Sequence, residues 1–191
     1  PSVLHTERLL LRELTMADAP ALFGIRQDPR VMRYIPRGTP SEMAEVKTLI
    51  ATMAADRAQH NGITWGITVR GSEGIIGTIG FYRLRKEHRR GEVGYLLHRD
   101  EWGKGYASEA LEAVVEHGFK AMECHRIEAY TDPVNDASNR LLARQGFECE
   151  AHLHEDVFWE GRYMDSLVWS RIALDALPRA RVAPRRRGRT A

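Results

Sequence analysis

Between Glu92 and Thr131 the chain leaves itself few local folds. Glu92 to His98 (EVGYLLH) is short and rich in residues that suit a strand. Apolar residues then recur at Ala107, Ala110, Leu111, Val114, Val115, Gly118, Phe119 and Met122, a helical spacing kept up for about four turns. His125 to Thr131 reads as a strand again. Strand, glycine turn, helix, strand makes a βαβ crossover, which sets its two strands parallel with a right-handed connection. Where the helix begins stands Trp102-Gly103-Lys104-Gly105-Tyr106-Ala107. A helix start exposes backbone N–H groups and the positive end of the helix dipole, and glycines let an anion approach closely. Alone, the hexapeptide reads either as a tight turn or as a phosphate cradle. It is neither a Walker loop nor a dinucleotide-binding glycine turn.

The remaining elements surround this unit. Glu7 to Leu14 reads as a first strand. Thr15, with Asp18 three residues on, caps a helix carrying Leu22, Phe23 and Ile25, which Asp28-Pro29 stops. Val31 to Pro36 is apolar yet irregular, as in a loop packed over something. Thr39-Pro40-Ser41-Glu42 predicts a helix start with its cap at Thr39, and the helix runs to about Gln59. Ile63 to Arg70 and Gly74 to Leu84 read as strands joined through Gly71-Ser72-Glu73-Gly74. After the crossover, Asp136 to Gln145 is a short helix closed by Gly146, and Phe147–Trp159 with Arg162–Ile172 forms a last hairpin. The order β-α-α-β-β-β-α-β-α-β-β predicts a mixed α/β (α+β) sheet, antiparallel except at the crossover, and argues against a doubly wound sheet or a barrel.

At 191 residues one folded unit is expected, drawn at residues 1–176. The net charge of +2 misleads. Six arginines (179, 181, 185, 186, 187 and 189) crowd the last residues; setting them aside takes 28 basic side chains to 22 against 26 acidic ones, a body of about −4. Residues 177–191 therefore read as a basic, disordered tail, either a contact for RNA or an acidic surface or simply a solvated end. No run approaches a membrane span and no secretory signal opens the chain, so a cytoplasmic protein is expected. Cys124 and Cys149 read as two buried thiols. Eight histidines show no metal-type spacing, so no metal is expected.

Several motifs together resemble the GCN5-related N-acetyltransferases (GNAT), and within them the branch acting on ribosomal-protein N-termini. They are Thr6-Glu7-Arg8-Leu9-Leu10-Leu11-Arg12, Gly91-Glu92-Val93-Gly94-Tyr95, Trp102 through Ala110, Asn135-Asp136-Ala137-Ser138-Asn139-Arg140 with Gly146-Phe147, and Gly161-Arg162-Tyr163-Met164-Asp165. The resemblance implies a mostly antiparallel seven-stranded sheet, splayed between its fourth and fifth strands and flanked by about four helices. It also implies acetyl-CoA as co-substrate, an amine as acceptor, and a homodimer as a common assembly.

By that resemblance the N–H groups of Gly103, Lys104, Gly105, Tyr106 and Ala107 hold the pyrophosphate, with Trp102 at the position where most members carry Gln or Arg. The backbone of Leu96, Leu97 and His98 pairs with the pantetheine arm, and the Leu97 N–H serves as oxyanion donor; otherwise the three make a plain β-edge. Asn135 is both a pantetheine contact and a helix cap. Many members protonate the leaving thiolate with a tyrosine whose place here is Leu142. Ser138, matching a serine of this branch, is the expected donor unless it is an ordinary first-turn serine. Glu92 is the candidate base acting through water, or else a solvated strand residue. Tyr34, Trp65 and Tyr82 either wall the acceptor site or pack in the core. An α-amine, with an unperturbed pKa of roughly 7.7–8.0, needs less from a base than lysine near 10.4. An N-terminal α-amine is thus the expected acceptor. A small amine such as a polyamine, or a non-catalytic acyl-CoA-binding or RNA-associated module, is the alternative.

Overall fold

A computed structural model of the chain describes residues 3–174; the basic tail at 177–191 lies outside them. Thr6 to Arg8 makes a turn, in which the Leu9 N–H donates to Thr6 Oγ1 at 2.9 Å and the Thr6 N–H to the Leu9 carbonyl at 3.0 Å. The predicted first strand, Glu7 to Leu14, is therefore shortened to begin at Leu9, and a further short strand precedes the turn. β1 (Leu4–His5) folds back on β2 (Leu9–Glu13), and the sheet has eight strands among the described residues rather than seven.

Then come α1 (Ala19–Gln27), α2 (Pro29–Met32), α3 (Met43–Ala58), β3 (Ile63–Val69), β4 (Ile75–Arg85), β5 (Arg90–Leu97), α4 (Tyr106–Lys120), β6 (Arg126–Thr131), α5 (Asp136–Arg144), β7 (Glu148–Trp159) and β8 (Arg162–Ile172). Two boundaries differ from expectation. The segment after Asp28 starts as a helical turn because the Asp28 carboxylate caps the Arg30 N–H at 2.8 Å. Helix α3 begins four residues after Thr39, because Glu45 takes the N–H groups of Ser41 (2.9 Å) and Glu42 (3.2 Å) and so fixes the first turn there.

The strand order is β1-β2-β3-β4-β5-β6-β8-β7, and every neighbouring pair is antiparallel except β5–β6. That parallel pairing lasts three positions, Arg90↔Arg126, Gly91↔Ile127 and Glu92↔Glu128. Beyond Glu92 the strands part, which is the expected splay. Helix α4 lays Ala110, Leu111, Val114 and Val115 on the sheet, joining Phe81, Ile127 and Leu142 in one core. Its approach is close at Gly118, where a Cβ would stand 2.6 Å from Phe81 Cζ. Leu142, at the place of the usual tyrosine, is buried in that core.

Trp65 belongs to the same core. It is fully buried in β3, with its ring edge-on to His117 at 5.6 Å between centroids, and it does not border the cleft described below. The alternative in which it walls the acceptor site is corrected. Of the cysteines, Cys124 is buried and Cys149 exposed; both are free, so only one is the buried thiol expected.

Burial of His117 on α4, against Trp65 of β3, holds its pKa below its ordinary 6.5. Below that pH the unfolded chain binds a proton that the folded one resists, so stability falls as pH drops through 6.5 toward the folded value. The thermal midpoint should decline between pH 7.5 and 5.5, and His117→Gln should flatten the decline. An unchanged slope in the variant would remove His117 as its source.

Candidate active site

The splay opens a cleft of about 1160 Å³. It runs from Gly103, Gly105, Tyr106, Ala107 and Ser108, past Leu97, Leu96, Tyr95, Asn135 and Ser138, to Glu92, Tyr82, Tyr34 and Arg26. From Leu97 back to Glu92 the strand covers about 17 Å, so one groove joins two distant ends.

At the loop end, Gly103 and Gly105 both take positive φ, +76° and +82°. Gly105 is the N-cap of α4, in a left-handed conformation that favours glycine. The loop is gripped from β1–β2. Arg8 donates from one guanidinium nitrogen to the Lys104 carbonyl at 2.9 Å and from Nε to Glu109 at 2.7 Å. Glu109 also accepts the Arg8 N–H (2.7 Å) and the Thr6 hydroxyl (2.6 Å). Burial alone would raise the Glu109 pKa, but these bonds hold it below the usual carboxylate range. Lys104 does not line the cleft; its ammonium reaches Glu101 at 3.0 Å. The half-exposed Trp102 donates its indole N–H to the Leu97 carbonyl at 3.1 Å, tying the loop to the end of β5.

Along β5 the edges alternate. The His98 N–H donates to the Ile76 carbonyl at 2.7 Å, so His98 and Leu96 turn their amides to β4, while Tyr95 and Leu97 face the splay. His98 is thereby corrected: its amide is used in the sheet, its Nδ1 accepts the Asp100 N–H at 3.2 Å, and it does not line the cleft. Leu96 borders the cleft, but its amide is not on the free edge.

Opposite β5, Asn135 caps α5, its Oδ1 accepting the Ser138 N–H at 3.3 Å. The Ser138 hydroxyl meets the Tyr95 hydroxyl at 2.7 Å. Burial pushes the Tyr95 phenol up to about 12, with the Ser138 hydrogen bond acting the other way, so it stays protonated. Sequence reasoning missed Tyr95, although it sits in the quoted Gly91–Tyr95 motif.

At the far end, Glu92 is paired with Arg83 at 2.7 Å. Tyr82 hydrogen-bonds Thr64, and burial raises its pKa. Tyr34 lines the cleft, with Arg33 over its ring at 5.1 Å. Sequence reasoning also missed Arg26, a buried residue of α1. On the β7–β8 hairpin, away from the cleft, His152 and His154 both reach Asp165, at 2.7 and 3.1 Å.

An anion-ready glycine turn followed by a strand edge without a partner suits a long acyl carrier with a phosphate end. The acetyltransferase (GNAT) domain model matches residues 8–148, and the chain belongs to that family. YoaA of Bacillus subtilis (strain 168), an uncharacterized N-acetyltransferase, is 39% identical over 168 residues, 88% of this chain and 95% of the relative. RimL, a ribosomal L7/L12 alpha-N-protein acetyltransferase in complex with coenzyme A, superposes with a TM-score of 0.81 at 19% identity over 90% of this chain and 98% of that one. The spermidine N-acetyltransferase from Vibrio cholerae in complex with CoA and spermine gives 0.78 at 20% identity over 87% and 96%. At those identities both structures speak for the fold alone. The chain is an acetyl-CoA-dependent N-acetyltransferase of GNAT type. Among the described residues no helix is long and apolar enough to cross a membrane.

Proposed function

We propose that the acceptor is the α-amine of a protein or peptide N-terminus, attacked directly while donor and acceptor share the cleft. The observation that carries this is Glu92, the acidic side chain that lines the cleft at the closed end of the splay, already engaged by Arg83. A site whose candidate base is ion-paired suits an amine that is partly neutral by itself, and an α-amine with a pKa of roughly 7.7–8.0 is such an amine. A small-molecule amine is the rival acceptor, since the fold alone accommodates it.

Bound acetyl-CoA supplies an activated thioester; the chain supplies position and protons. The amides of the Gly103–Ala107 turn face the pyrophosphate, and the Leu97 edge holds the pantetheine arm with Asn135 across from it. The candidate oxyanion donors are the free-edge N–H groups of Leu97 and Tyr95, the latter residue also holding Ser138 through its phenol. Ser138 holds a proton for the departing sulfur, and Glu92 accepts one from the amine through water.

Arg8 and Glu109 act as positioning residues for the pyrophosphate turn. Glu109→Gln removes one charge from a knot of four hydrogen bonds, so KM for acetyl-CoA should rise about tenfold with little change in kcat. An unchanged KM would refute that role. The function itself is tested by thiol release from acetyl-CoA with N-terminal peptides, lysine peptides and polyamines. Turnover of the first group at the lowest KM is expected. Coenzyme A binding without turnover of any amine would favour a non-catalytic module.

A further inference from the structure

Resting on the N-terminal reading above, the acceptor end of the cleft carries a further specificity. Arg26 is 7% exposed, yet it lines the cleft. Among the described residues it has neither an ion pair nor a hydrogen bond. Charges that face it come from several elements. Arg37, on the segment after α2, is exposed and also without an ion pair. Tyr82 comes from β4, and Asp56 of α3 lines the same cleft without reaching Arg26. Two other arginines that line the cleft are matched, Arg83 by Glu92 and Arg30 by Asp28 at 3.8 Å. Burial, and then the like charge of Arg37, press the Arg26 pKa down from its ordinary value, with only Tyr82 acting the other way, so the fold bears a cost here that no carboxylate among the described residues offsets. The Asp165 cluster on the hairpin differs, because its carboxylate already accepts from His152, His154 and the Glu155 N–H.

We infer that Arg26, with Arg37 beside it, binds an anionic group carried by the acceptor a few bonds from its reactive amine. A guanidinium offers five donors in a fixed fork that matches a carboxylate or a phosphate, and in a desolvated site such a contact is strong. The acceptor is then an N-terminus followed closely by an acidic or phosphorylated residue. A polycation would add positive charge beside an unmatched one, which excludes polyamines as preferred substrates.

The test is steady-state thiol release by the full chain with three peptides differing only at their second residue: aspartate, asparagine and O-phosphoserine, with spermidine as a fourth acceptor. The aspartate or the phosphoserine peptide should show a KM roughly 10- to 100-fold below the asparagine peptide, the better of the two naming carboxylate or phosphate. Arg26→Gln should bring that ratio to within about twofold of one, and Arg26→Lys should restore part of it. Equal KM values for all three peptides in the unmutated protein, or spermidine as the best acceptor, would overturn the inference while leaving acetyl transfer intact; that comparison needs no variant to fold. An unaltered ratio in a folded Arg26→Gln protein would also overturn it. No thiol release with any acceptor would instead fail the underlying reading.

Discussion

Ser138→Ala is expected to lower kcat by about 10²–10³-fold, the usual worth of a positioned proton donor, while KM for acetyl-CoA stays within about threefold. The expectation comes from how the hydroxyl is held. Asn135 fixes the first turn of α5, so the Ser138 backbone cannot drift. The buried Tyr95 phenol, pushed up to about 12, remains protonated and can donate to Ser138 Oγ, which leaves the serine's own proton directed at a neighbour. Tyr95→Phe removes that orientation but not the donor, so a smaller loss of about tenfold is expected. Because Tyr95 does not ionise below about 12, it should add no inflection to the kcat–pH profile of the unmutated protein between pH 6 and 9. If instead Tyr95→Phe abolished turnover and Ser138→Ala left it within twofold, the phenol would be the acid and the serine its support. Both variants near the unmutated rate would mean that the thiolate takes its proton from water.

What the sequence discloses of this site is what the chain builds locally. The glycine turn, the helix start at Tyr106, the crossover and the Asn135 cap depend on neighbours a few residues apart, and each stands where the residues point. The splay is legible only through the family motifs, since strand propensity cannot say that β5 and β6 pair for three residues and then separate. Contacts across long separations are invisible to both. Arg8 holding Glu109 and Lys104 spans about a hundred residues, and Tyr95 against Ser138 spans 43. An arginine in a helix reads as a solvated side chain, so nothing in α1 announces that Arg26 is buried. His98 fails for a different reason. Alternation fixes which amides share an edge, but only the Ile76 contact tells which edge faces the cleft.

Trp65 shows the same limit in one side chain, and its substitution should be the most destabilising proposed. An aromatic in a strand satisfies a pocket wall and a core equally well by pattern. Here it lies between Glu13 of β2 and Ile79 of β4, and its ring meets His117 of α4 edge-on. Trp65→Ala would empty the centre of the packing between α4 and the sheet, costing about 3–5 kcal/mol as such truncations do. Against a total stability of about 5–15 kcal/mol for a domain, that loss brings the protein near the point of unfolding. Trp65→Phe keeps part of the volume and the ring, so it should fold, with a lower midpoint in thermal or denaturant unfolding. The kinetics of that variant separate the two placements. A core tryptophan predicts a lowered midpoint with acceptor and acetyl-CoA KM values unchanged when assayed well below it. A wall of the acceptor site predicts the reverse, an acceptor KM raised about tenfold at an unchanged midpoint, since a lost aromatic contact of about 1.4 kcal/mol would act on binding alone.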